Sequence, residues 1–144
     1  MRDGVWQDIL ERAKKHTQNA ADALQRQQRM LRDAEHQRTQ LGHFRDDYAL
    51  QASQPGTSVS LARLMHLREF VENLDRALAQ LDWQVESARD AVLRAQQLLS
   101  ERRARSLALE TLIAKREKHR VQQADRREQS LMDELIQVRA RPGR

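Results

Sequence analysis

The sequence contains no cysteine, only two prolines and four glycines, and 3% aromatic residues. The lack of cysteine excludes disulfides, zinc ribbons and thiol chemistry, and it is ordinary for a protein of a reducing compartment, so a cytoplasmic location is expected. Gly4, Gly42, Gly56 and Gly143 stand singly, so there is no phosphate-cradling loop or dinucleotide fingerprint, and no nucleotide or other cofactor is expected. With two Trp, two Phe and one Tyr in 144 residues, the aromatic bulk that fills a globular enzyme's interior is missing. No run of 18 apolar residues exists, and the stretch from Met1 turns polar within one helical turn, so neither a membrane span nor a secretory leader is expected.

About half of the chain is Ala, Glu, Lys, Leu and Arg, the composition of long helices. Charged residues make up 33%, and the mean hydropathy is -0.88. The net charge of +5 is unevenly placed: residues 1–100 carry 14 Lys/Arg and 14 Asp/Glu, whereas residues 101–144 carry 12 and 7. An acidic partner is therefore expected at the C-terminal third.

One interior break is visible, Gln51-Ala-Ser-Gln-Pro-Gly-Thr-Ser58, where Pro55 stops a helix and Gly56 permits a turn. It predicts a single coiled-coil domain with a first helix over about 4–52, a turn over about 53–58 and a second helix over about 59–140. Asp3 is the candidate N-cap of the first helix and Ser58 or Ser60 that of the second, while Pro142-Gly143 ends it.

Heptads support this division. In the second arm, Leu64, Val71, Leu78, Val85, Val92 and Leu99 alternate with Leu67, Leu74, Leu81, Ala88, Ala95 and Arg102 at 3- and 4-residue steps. In the first arm, a row from Trp6 through Ala13 and Ala20 to Leu41 and Tyr48 alternates with a row from Ile9 through His16, Ala23 and Met30 to Phe44. The fold class predicted is all-α: a long two-helix antiparallel coiled-coil hairpin with a longer second helix, extended in solution rather than globular. Facing residues in such a hairpin have a constant sum of numbers. A sum of 115 pairs Tyr48 with Leu67 and Phe44 with Val71, and centres the turn between Thr57 and Ser58. The first arm then reaches back to about residue 110, leaving the rest of the second helix without a partner in the chain.

Chemistry-bearing constellations are absent from this pattern. His16, His36, His43, His66 and His119 form no i,i+3 or i,i+4 pair, so no metal site is expected. Carboxylates alternate with Arg and Lys, as in Glu11 with Lys15 and Glu72 with Arg76, the pattern of a solvated helix surface. No catalytic residue is assigned, and an enzyme is not expected. Two aromatics fall off the seam: Trp83 points away from the partner helix and is a candidate exposed contact, and Phe70 flanks the seam. Arg116, Arg120, Arg126 and Arg127 belong to basic clusters interrupted by Glu117, Asp125 and Glu128, with no aromatic interleaved for base stacking. A protein-docking face is expected there rather than a nucleic-acid site.

The stretch Leu41-Gly-His-Phe44-Arg-Asp-Asp-Tyr48, the turn, and Arg68-Glu-Phe70-Val-Glu-Asn-Leu74-Asp-Arg-Ala77-Leu-Ala-Gln-Leu81 resemble the flagellar FliJ family. The resemblance implies a cytoplasmic component of the flagellar type III export apparatus, at the cytoplasmic face of the inner membrane. It implies a coiled coil similar to the central stalk of rotary ATPases. Such a protein inserts into the export ATPase hexamer, links it to the cytoplasmic domain of the export gate and handles export chaperones. The family's gate-binding stripe maps onto Phe70, Leu74 and Ala77, with Leu81 where the family has a polar residue. Arg116, Arg120, Arg126 and Arg127 are the residues expected to meet the ATPase ring. Two other readings stay open at this point: the stalk of a virulence-type secretion system, and a nucleic-acid-binding arm like that of seryl-tRNA synthetase.

Overall fold

The computed structural model describes residues 2–53 and 60–140. They form two α-helices, α1 (Arg2–Ser53) and α2 (Leu61–Ala140), and no strand occurs among the described residues. The architecture is the all-α antiparallel hairpin with the longer second helix. Ala, Leu, Arg and Gln dominate both segments and lose little side-chain freedom in a helix. The Ser60 hydroxyl accepts a hydrogen bond from the Arg63 backbone N–H at 3.3 Å, and its carbonyl accepts one from Leu64 at 3.1 Å, so Ser60 caps α2. At the end of α1 the Ser53 hydroxyl donates to the Leu50 carbonyl at 3.0 Å. Asp3 is not the cap expected for the first helix, because α1 already includes it. The turn residues after Ser53, including Ser58, and the Pro142-Gly143 stop lie outside the described residues.

The chain divides into two compact units, Gln18–Ser100 and Met1–Thr17 with Glu101–Arg144. In the first, Ala20, Leu74, Leu78, Val85, Val92 and Leu99 are buried. In the second, Leu10 and Ala13 are. No large side chain is fully enclosed among the described residues, as expected where only two helices meet along a seam.

The register differs from the expected one. Thr17 meets Arg102, two numbers that add to 119. Within Gln18–Ser100, Arg45 pairs with Asp75, Arg38 with Asp82 and Tyr48 with Phe70, all within one residue of the same sum. This register sets Ala20 level with Leu99, Ala34 with Val85 and Leu41 with Leu78. It also moves one row of the α1 seam by one residue: Leu10, Thr17, Leu24, Leu31, Arg38 and Arg45 face α2, while Ile9, Met30 and Phe44 remain exposed. The physical reason is stem length. Leu24 and Leu31 offer more apolar surface than Ala23, and Arg38 and Arg45 lay aliphatic stems over the seam while their guanidinium groups reach carboxylates at its edge. Counting Arg as purely polar selects the wrong row.

Candidate functional site

Three surface features stand out from this frame. The first spans α1 and α2 in the unit Gln18–Ser100. Phe44 stacks on Tyr48 with ring centroids 5.8 Å apart, and Tyr48 meets Phe70 edge-on at 4.9 Å. Tyr48 is half-buried, whereas Phe44 is 59% and Phe70 43% exposed. Of the expected gate stripe, Phe70 is thus accessible, Leu74 is buried in the seam, and Ala77 and Leu81 are half-buried. Phe44, expected in the seam, is the most exposed member of the cluster. Its neighbour Arg45 takes the seam place, its Nε donating to Asp75 Oδ1 at 2.7 Å and its Nη1 to Asp46 Oδ1 at 3.4 Å. The hydrogen bond to Asp75 is the main cause that holds the Arg45 guanidinium further into its charged form.

The second feature lies in the unit that joins α1 to residues 101–140. The Arg116 guanidinium sits 4.7 Å from the centroid of Trp6, a cation–π contact tying the start of α1 to α2. A groove of about 850 Å³ beside it is lined by Trp6, Ile113, Lys115, Arg116 and His119, among others. Arg120 chelates Glu117 through Nε at 3.1 Å and Nη2 at 2.7 Å, and this hydrogen bonding draws the Glu117 carboxyl below its ordinary range. Further along, the Thr17 hydroxyl lies 2.9 Å from the Ala13 carbonyl, 3.2 Å from the Arg102 carbonyl and 3.0 Å from the Ser106 hydroxyl. Having one proton, it donates to one carbonyl and accepts from Ser106. Lys14 pairs with Glu110 at 3.4 Å. The first helix therefore stays engaged to about Arg116, further than residue 110, and the projecting part of α2 is shorter than expected.

The third feature is that projection. From Val121 to Ala140 every residue is exposed. Its apolar residues Leu131, Leu135 and Val138, each 60% exposed or more, share one helical face. Its charge corrects the expectation of a basic overhang: Arg126, Arg127 and Arg139 are opposed by Asp125, Glu128, Asp133 and Glu134. The basic excess sits just before it, between Arg102 and Arg120, where seven Lys/Arg face two Glu. Of the four arginines expected to meet a ring, Arg116 and Arg120 belong to this basic collar, and Arg126 and Arg127 to the nearly balanced projection. Trp83, in the unit Gln18–Ser100, is 72% exposed beside Ala79, Gln80 and Gln84.

Among the described residues no three His, Asp or Glu gather in a way that could hold a metal, and no helix is long and apolar enough to cross a membrane. What the surface offers is contact: an aromatic cluster across two helices, a basic collar and an apolar helical face. Sequence reasoning missed the Trp6–Arg116 contact and the Arg38–Asp82 and Arg45–Asp75 pairs. The signal for the pairs was present, since the two Arg and the two Asp are each one heptad apart.

The sequence profile of the family described as "Flagellar FliJ protein" matches residues 6–143. No curated protein matches the chain.

Proposed function

The chain belongs to the FliJ family, and from that premise we propose that this flagellar type III export-related protein is a non-enzymatic stalk. It inserts into the export ATPase hexamer, promotes its assembly or activity, and links it to the cytoplasmic domain of the export gate and to export chaperones. It would act in the cytoplasm, held at the inner face of the inner membrane by its partners. The observation that carries the reading is the end of α2, where residues 121–140 project fully exposed beyond a basic collar. An amphipathic helix without a partner in the chain is marginal alone and gains its stability by docking. In this reading the apolar face of Leu131, Leu135 and Val138 enters the ring. Arg116, Arg120, Arg126 and Arg127 meet acidic loops of the ring in a salt-sensitive way. The aromatic cluster, chiefly Phe70 with Ala77 beside it, would contact the gate, with Leu74 and Leu81 supporting it from the seam.

The test is the ATP turnover of the partner hexamer in the presence of the full chain and of a chain ended after Arg120. That end keeps the Trp6–Arg116 contact and the Arg120–Glu117 pair. The expected result is stimulation by the full chain and none by the shortened one, at unchanged helicity per residue. Equal stimulation by both would overturn insertion of this end.

A further inference from the structure

The unit Gln18–Ser100 has two unlike sides. Along one run the cross-helix pairs: Glu35 with Arg89 at 3.7 Å, Arg38 with Asp82 at 2.8 Å and Arg45 with Asp75 at 2.7 Å. Gln37 precedes the seam residue Arg38 as Glu35 follows the seam residue Ala34, so the rows through Gln37 and Glu35 lie on opposite flanks of α1. At heptad spacing the uncharged flank shows Ala23, Met30, Gln37 and Phe44 from α1. From α2 it shows Phe70, Ala77, Gln84, Ala91 and Leu98, and Tyr48 bridges the two rows by touching both Phe44 and Phe70. Not one of these residues is charged, although a third of the chain is. Met30 is 60% and Leu98 43% exposed.

We propose that this flank is the interface of an antiparallel homodimer, in which α1 of one copy lies against α1 of the other. Its size suits the purpose: about 30 residues of two helices side by side cover roughly 45 by 18 Å, about 800 Å². That is the area each partner gives to a standard stable interface. The choice of a second copy rests on charge. The row bordering the flank on α1 reads Asn19, Arg26, Asp33 and Gln40. Arg26 and Asp33 are exposed, and neither has an ionic partner among the described residues. A two-fold axis crossing α1 between Arg29 and Met30 sets Arg26 opposite the second copy's Asp33, its Asp33 opposite the second copy's Arg26, and Asn19 opposite Gln40. The row is self-complementary only when reversed. With both hairpins pointing the same way, Arg26 falls level with the copy's Arg94, a like-charge contact. Thirty residues centred on the two-fold axis lie level with about 75–104 of α2, so Phe70 stays outside the dimer and free for the proposed gate contact.

The inference stands apart from the export reading and is tested on the isolated full chain. Sedimentation equilibrium is expected to give a dimer of twice 16.9 kDa. Arg26→Asp should weaken it at least tenfold, and Arg26→Asp with Asp33→Arg should restore it. Since the chain has no cysteine, Met30→Cys, next to the axis, should form a disulfide dimer, whereas Gln28→Cys on the charged side should not. A chain still monomeric at about 100 µM, where a micromolar interface is nearly saturated, overturns the proposal and leaves the flank to a helix of another protein. So does a charge exchange that fails to restore the dimer, or equal cross-linking at both cysteine positions.

Discussion

Arg45 occupies a seam position of α1, yet its guanidinium leaves the seam and donates to Asp75 of α2 at 2.7 Å. One side chain thus performs two tasks, apolar packing by its stem and register marking by its head. Arg45→Met keeps the stem and should leave the urea midpoint of the hairpin near its starting value, because an exposed ion pair contributes little. Arg45→Ala removes the stem as well and should lower the midpoint. Circular dichroism of both variants tests this, and the opposite ranking would show that the pair, not the stem, holds the seam.

Gly42 lies one turn from Arg38, and a Cβ added there meets Arg38 Nη1 at 2.9 Å. The obstacle is the mobile end of a long side chain, so the guanidinium gives way and its pair with Asp82 is weakened. Gly→Ala within a helix gains about 1 kcal/mol, against roughly 0.2–1 kcal/mol for an exposed pair. Gly42→Ala should therefore be neutral to slightly stabilising in thermal melts. The bulkier Gly42→Leu should displace Arg38 fully and lose that gain.

Trp6 anchors the start of α1 through Arg116. Trp6→Ala removes a cation–π contact of about 0.5–1 kcal/mol together with ring packing. Amide exchange in the first turns of α1 should accelerate about two- to fivefold or more, with exchange in α1 beyond Gln18 unchanged. Arg116→Gln should give a smaller effect in the same segment.

Phe70 is the accessible member of the aromatic cluster. Phe70→Ala should weaken binding to the cytoplasmic domain of the export gate at least tenfold in calorimetric titration, about 1.4 kcal/mol, while leaving helicity intact. Leu74→Ala is the poorer probe, since truncating a buried Leu costs about 2–5 kcal/mol of fold stability. Unchanged gate affinity for Phe70→Ala would remove the cluster from the gate contact.

Glu117 is held in its ionised form by Arg120, so its carboxyl titrates below the ordinary 4.5. Such a group stabilises the helix fully above the ordinary value and loses that contribution as the pH falls through its lowered one. Amide protection around residues 117–120 should drop on acidification below about pH 4, where the ordinary carboxylate range lies. In Glu117→Gln this acid-dependent step should be missing.

Much of this was legible in the sequence, and the misses share a cause. The strong α2 heptad from Leu64 to Leu99 placed its seam residues correctly, because each step is Leu, Val or Ala with no competing row. The α1 row did not, because Ala23, Met30 and Phe44 compete with Leu24, Leu31 and Arg45 one residue away. Periodicity alone cannot rank two adjacent rows of similar apolarity. Exposure of Trp83 followed from its place opposite the seam, whereas the Phe44–Tyr48–Phe70 cluster needed the register first.

The sequence by itself determined that the chain is helical, broken once and unequal in its arms, since these follow from local propensity and a single interior Pro-Gly break. Only tertiary structure decided which α1 row packs and where the register falls. It also decided that Trp6 holds Arg116, and that one side of the hairpin carries its charge pairs while the other is left uncharged. Those outcomes depend on which side chains face each other across two helices, and such matches are fixed by long-range packing rather than by neighbours along the chain.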